Sequence, residues 1–287
     1  MWPGTRLRRF AAIVIGGTLC LYAILMVGVR ERIVRGYPDF TVYYTAATML
    51  RGGLGRELYN EQVQSEIQRR FAGNIPSRQG PLPYIHPPYE ALLFVPLTFL
   101  RYPRAFAAWD LLNAAALFGI YWSLRSSVAR LRLVSAWEFV FAALAFFPVF
   151  ACFLQGQDSI LLLLLCVLGF NAMKRENDFL AGCWFGLGLF KFQLVLPIIL
   201  LLAIWKRRQV LMGFIPVAII LVAISAVLTG WRELLVYPHC VMTVANTPAV
   251  GGVPAQLLPN LRGLILGWSL PFSNAVGGWI VALTSGT

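Results

Sequence analysis

The chain has 287 residues, 59% hydrophobic and 13% charged. A soluble globule carries about a quarter charged residues, and here the apolar residues form long runs separated by short basic clusters. This excludes a single soluble core and implies helices that cross a membrane. The net charge of +12 does not point to nucleic acid: most Lys and Arg flank apolar runs, where they meet lipid headgroups and set topology, and the usual RNA-binding motifs are absent.

Arg6, Arg8 and Arg9 precede an apolar run at 10–29. That run is long enough to cross a bilayer, and no small-x-small cleavage site follows it, so it reads as a retained signal anchor. Further spans are expected at 103–124, 137–154, 210–229 and 264–283, with a shorter one at 159–173. Between the first two lies the longest polar stretch, 30–88. Within it, 39–52 reads as a helix with Asp39 at its N-cap and Gly52-Gly53 at its end. Residues 57–72 read as an amphipathic helix (Leu58, Val63, Ile67, Phe71) that lies along the membrane surface. Residues 91–100 read as a partly inserted helix. Residues 30–100 are thus expected to form a first outer loop with juxtamembrane helices.

Three short basic loops orient the chain: Arg125, Arg130 and Arg132; Lys174 and Arg175; Lys206, Arg207 and Arg208. One topology puts all three in the cytoplasm, together with the N-terminus. Residues 178–205 then start and end on the same side. Each half holds about 12–14 apolar residues, near 20 Å of helix against a 30 Å core. The expectation is a hairpin of two short helices with Lys191 at its tip, packed through Gly182-x-x-x-Gly186. A second outer loop, 231–262, carries Tyr237-Pro238-His239 and leads into Asn260 and Arg262. Cys20, Cys152, Cys166, Cys183 and Cys240 form no CxxC pair, so burial as small hydrophobes is expected rather than disulfides or metal ligation. No internal repeat is visible. The fold class is all-α and polytopic, with 1–287 as one membrane domain.

The residues able to do chemistry collect on the outer side of this topology. Asp39, just past the first span, suits helix capping and equally suits a general base. Lys191, amid some 26 apolar residues, costs roughly 2.5–3.5 kcal/mol on insertion scales unless it has water or a partner. A fixed ammonium there suits an anionic phosphate. Gln155-Gly156-Gln157-Asp158 interrupts an apolar region at an outer turn, where Gln157 and Asp158 suit hydrogen bonding to a sugar or phosphate. Arg262 suits a bidentate grip on phosphate, with Asn260 beside it. His86 and His239, the only histidines, both lie on this side, and no ligand spacing links them.

The chain resembles the polyprenyl-phosphate-sugar-dependent glycosyltransferases of the GT-C superfamily, and specifically family 87, which includes mannosyltransferases. The resemblance is carried by Asp39-Phe40-x-x-Tyr43-Tyr44-x-Ala46-Ala47, Gly52, Leu58-Tyr59, Tyr84-Ile85-His86-Pro87-Pro88 with the following Leu-Leu-Phe-Val-Pro-Leu, Gly156-Gln157, and Gly182 to Lys191 with Pro197 beyond. It implies inverting transfer of a sugar, commonly mannose, from a polyprenyl-phosphate donor to a hydroxyl of a glycolipid or glycan acceptor. It places this on the outer face of a bacterial plasma membrane. By it Asp39 is the base and Lys191 is the lysine of the Gly-x-x-x-Gly segment; on their chemistry Lys191 and Arg262 are expected at the donor phosphate, and Tyr44, His86, Gln157, Asp158 and Asn260 at the substrate. No cofactor is implied, and a divalent metal is left open. Members are usually longer, so a shortened member or a piece of a longer chain is expected. A carrier or flippase for an anionic lipid or solute is the alternative.

Overall fold

The computed structural model describes residues 5–36, 38–72 and 82–246, and twelve α-helices account for most of them. Among the described residues no strand occurs. α1 (Thr5–Val34) is the first span, with apolar side chains such as Ile13, Ile24 and Val27 exposed on its surface. The ring of Tyr22 stacks on Phe150 at 3.9 Å.

α2 (Phe40–Arg51), α3 (Glu61–Ala72) and α4 (Pro88–Phe94) form a cap at one end of the molecule. α3 turns its amphipathic stripe into the cap. Ile67 is buried in the cap core beside the fully buried Leu58, and Phe71 stacks on Tyr102 at 5.0 Å. Its apolar stripe serves the protein interior, which an amphipathic pattern alone does not distinguish from lipid. The expected inserted helix at 91–100 is also divided. α4 stops at Phe94 and a 3₁₀ turn, Val95–Phe99, follows, because Pro96 has no N–H to continue the ladder.

α5 (Tyr102–Ser127) crosses to the other end. The next expected span, 137–154, is two helices, α6 (Ala136–Ala145) and α7 (Phe147–Gln155), bent by 80°. Pro148 lies in the first turn of α7, and Phe146 is extended. Proline has no N–H to donate and its ring crowds the carbonyl four residues back, here that of Leu144, so the span breaks there. α6 starts with a full capping box, Ser135 and Glu138 satisfying each other's backbone N–H groups. α8 (Ser159–Lys174) runs back alongside α5. Its Asn171 donates to Ser123 O (2.8 Å), and Lys174 donates to Ser127 O (2.8 Å).

Residues 178–204 are helical throughout apart from one 3₁₀ turn, and are apolar and long enough to cross a membrane, as are Arg9–Val34, Tyr102–Ser127 and Arg208–Thr229. A straight 27-residue helix would separate its ends by about 40 Å. Yet Arg207 Nη1 lies 3.2 Å from Asp178 Oδ2. The segment therefore doubles back: α9 (Asp178–Leu187) climbs, Gly188–Lys191 turns, and α10 (Phe192–Ile204) descends. α11 (Arg208–Thr229) then climbs again beside α9. The two backbones touch through small residues. A Cβ on Gly182 would sit 2.0 Å from Val210 O, and one on Gly213 1.9 Å from Phe179 O. α12 (Trp231–Asn246) continues over the cap. It occupies the start of what was expected to be an outer loop, and Tyr237 and Cys240 pack on the cap core. Asn260, Arg262 and the expected span at 264–283 lie outside the described residues.

The helical hairpins sort the charges. Arg125, Lys174, Arg175 and Arg207 share one end. The cap, the turn before α8 and the tip at Lys191 share the other.

Candidate active site

Three backbone turns meet at the cap end, and each is held by side chains from its neighbours. The turn 155–158 carries Gly156 at φ +62, where a Cβ would lie 2.7 Å from Phe40 Cβ and 2.8 Å from the Phe106 ring. Only glycine fits both the left-handed backbone and the space. Trp109 Nε1 donates to Gly156 O (3.0 Å) and Asn113 Nδ2 to Gln157 O (3.2 Å), which fastens this turn to α5. The extended stretch before α4 is held by α3 and the turn before it: Gln64 Oε1 accepts from Tyr84 N (2.8 Å), and Tyr59 OH donates to His86 O (2.9 Å). The third turn is the hairpin tip at Lys191.

Asp39 precedes α2 but does not cap it with its side chain. Its backbone N–H donates to Gln155 Oε1 (3.2 Å), and its Oδ2 accepts from Gln157 Nε2 (2.9 Å). The capping role open from the sequence is thus not taken up, and a partly exposed carboxylate is presented beside the 155–158 turn. Gln155 and Gln157 grip Asp39 from either side of Gly156, which explains why both polar residues interrupt the apolar region.

Lys191 Nζ lies 2.7 Å from Asp158 Oδ1, with the carboxylate wholly buried and the lysine side chain 14% exposed. Tyr43 OH donates weakly to the same oxygen (3.4 Å). Lys191 is therefore a paired charge, and Asp158 is the partner that its place in an apolar run called for, because a buried cation draws a counter-ion to offset desolvation. Asp158, expected at a sugar or phosphate, has no exposed surface and serves as that counter-ion.

Two further groups line this pair. Glu90 is fully buried, and its Oε2 lies 3.0 Å from His86 Nδ1. Burial, reinforced by the charge of Asp158, pushes its carboxyl well above the ordinary range. Burial holds the His86 imidazole neutral, lowered to about 4 against the opposing pull of Asp158. Tyr43 stacks on Phe94 (4.6 Å) and meets the edge of His86 (5.0 Å). Its hydroxyl is also held neutral, by burial first and then by Asp158, Glu90 and Asp39.

The structure brings Asp39, His86, Gln157, Asp158 and Lys191 into one region. Tyr44 is not with them. One residue along a helix turns the side chain by about 100°, so Tyr44 faces Tyr102 and Phe71 and donates to Leu100 O (2.8 Å). Its neighbour Tyr43 faces the site instead. His239 is exposed on α12. Sequence reasoning missed Tyr43 and Glu90. The signal for Glu90 was present: a lone acid in the otherwise apolar run from Pro87 to Leu97.

Residues 84–286 match the family model described as glycosyltransferase family 87. The chain belongs to glycosyltransferase family 87. This family member is an integral membrane glycosyltransferase, and the GT-C resemblance is consistent with that assignment. The matched stretch covers more than half of the chain. It includes His86, Glu90, Asp158 and Lys191 and begins after Asp39. No curated protein and no solved structure matches the chain. Membership in a family of transferases decides against the carrier reading as the primary activity. The transferase has a sugar donor and an acceptor as its partners.

Proposed function

We propose that this family 87 transferase moves mannose from a polyprenyl-phosphate donor to an acceptor hydroxyl of a glycolipid or glycan, with inversion and with Asp39 as general base. The reaction takes place on the outer face of a bacterial plasma membrane. The basic end of the helical body and the N-terminus then lie in the cytoplasm, in keeping with the bias of Lys and Arg towards cytoplasmic loops. The single observation that supports this reading best is the state of Asp39. Its carboxylate is partly exposed, is not used as a helix cap, and is aimed by Gln157 at 2.9 Å.

In this reading Asp39 takes the proton of the acceptor hydroxyl as that oxygen attacks the anomeric carbon. The bond from that carbon to the phosphate oxygen breaks, and the electron pair leaves with the phosphate. Cationic groups favour that departure because charge develops on the leaving oxygen. Lys191 provides such a charge by turning part of its field from Asp158 to the phosphate. Arg262 and Asn260 are proposed to assist at the donor, and His86 and Gln157 to contact the sugar. A lipid-linked donor needs no nucleotide-binding loop, consistent with the sequence.

The test is transfer from radiolabelled polyprenyl-phosphate-mannose in membranes carrying the protein. Asp39→Asn is expected to lower transfer by about 10²–10⁴-fold, the usual effect of losing a general base, while donor binding persists. Equal transfer by both proteins removes Asp39 from the mechanism. Transfer from another lipid-linked sugar, with none from the mannose donor, corrects the substrate and leaves the base intact.

A further inference from the structure

Glu90 has no part in the chemistry above, yet it is as fully buried as Asp158. Three oxygens around it are buried without a hydrogen-bond partner: both oxygens of Glu90 and Oδ2 of Asp158. Two buried carboxylates that face one another can only be acceptors, so each leaves the other unsatisfied. A proton between them turns one into a donor and satisfies both. An unpartnered pair of this kind is costly inside a protein. The remaining geometry agrees. Asp158 has already given Oδ1 to Lys191 at 2.7 Å, so Oδ2 is the atom left for Glu90. On its other side, Glu90 Oε2 lies 3.0 Å from His86 Nδ1.

We propose that Glu90 is a positioning residue that carries a proton at neutral pH and uses it to hold Asp158 in place against Lys191. The chain of contacts runs from His86 through Glu90 and Asp158 to Lys191. Glu90–OH donates to Asp158 Oδ2, and Asp158 Oδ1 accepts from Lys191. Without that proton, two buried carboxylates share one ammonium. Asp158 is then pushed from its place, and the lysine is drawn towards the second acid. The proposal rests on the reading of Lys191 as the cation at the donor phosphate only for its effect on transfer; the protonation itself is read without substrate.

The groups that face Glu90 leave the proton on it. Asp158 opposes its ionisation and Lys191 favours it, with burial outweighing both. Burial keeps neutral the hydroxyls of Tyr43 on α2, of Tyr84 before α4, of Tyr59 before α3 and of Tyr237 on α12. His86 is neutral for the same reason. The carboxyl of Glu90 therefore loses its proton only well above the ordinary carboxylate range.

The deciding experiment is infrared spectroscopy of the full-length protein in membranes at neutral pH, comparing wild type with Glu90→Gln. A C=O stretch of a protonated carboxylic acid is expected in the wild-type-minus-variant difference spectrum, where any other protonated acid cancels. Absence of that band from the difference spectrum overturns the proposal whatever donor the enzyme takes. Transfer gives the second readout. Glu90→Leu is expected to lose about 10–100-fold, the worth of a hydrogen bond to a charged group. Glu90→Gln, which still donates an N–H to Asp158, recovers most of that loss and abolishes the fall in wild-type rate as pH rises through the raised Glu90 pKa. A Gln variant as impaired as Leu shows that a neutral donor does not suffice and overturns the positioning role.

Discussion

The two ends of the helical body each hold a Lys or Arg beside an Asp, and the two pairs differ in what surrounds them. At the cap end, Lys191 and Asp158 meet at 2.7 Å with the acid wholly buried. At the basic end, Arg207 and Asp178 meet at 3.2 Å with the arginine side chain 54% exposed and the acid 12% exposed. The same pairing chemistry thus has opposite consequences. An ion pair in water contributes about 0–1 kcal/mol. Breaking a buried one leaves an uncompensated charge and costs about 3–5 kcal/mol. The cap end concentrates its charges inside, where they polarise one another and whatever binds there. The basic end leaves its cations in water, where they orient the chain, and Arg207 steadies one hairpin through Asp178.

The largest expected break in this contrast is catalytic. Asp39→Asn should remove about 10²–10⁴ of the transfer rate with no loss of thermal stability, since Asp39 does not cap its helix. Next comes the buried pair. Lys191→Met leaves Asp158 alone in the interior and should destabilise the protein by about 3–5 kcal/mol, read as a lowered melting temperature in detergent. Gly182→Leu should cost about 1–3 kcal/mol or more through overpacking, because its Cβ would stand 2.0 Å from Val210 O. Denaturant titration of the two proteins measures it. Arg207→Ala should cost less than the loss of Lys191, about 1–3 kcal/mol by the same titration, because it leaves the largely buried Asp178 carboxylate unpaired.

The pH dependence sharpens the comparison further. His86 is lowered from 6.5 to about 4 in the folded protein. The unfolded chain therefore binds its proton first, and stability falls as pH drops from 6.5 towards about 4. Glu90 is raised, so its contribution has the opposite sign. It is fully present below the ordinary glutamate pKa, where both states are protonated, and is lost as pH rises. Melting temperatures of His86→Gln and Glu90→Gln across this range should each flatten one side of the wild-type profile. Arg207→Ala should leave both sides in place.

Much of the fold was legible because it follows from local hydrophobicity. The spans at α1, α5 and α11, the reversal at Lys191 and the common side of Asp39, His86, Asp158 and Lys191 all follow from run lengths and basic loops, which bilayer thickness and headgroup charge convert directly into topology. The break in α6–α7 had its signal in Pro148. The amphipathic pattern of α3 specifies a helix, but a stripe of Ile67 and Phe71 does not say which apolar surface will cover it. Helical phase likewise separated Tyr43 from Tyr44 only once α2 was seated.

The sequence by itself determined the all-α membrane architecture, the sorting of charges to two ends and the membership of family 87, because hydropathy, basic loops and ordered motifs are properties of the chain read in one dimension. Only the tertiary structure decided that Lys191 is paired, that Gln155 and Gln157 hold Asp39, and that Glu90 stands against Asp158. Those facts join residues up to 118 positions apart. Each depends on which charges lose their water together, and desolvation is a property of the packed site rather than of any segment within it.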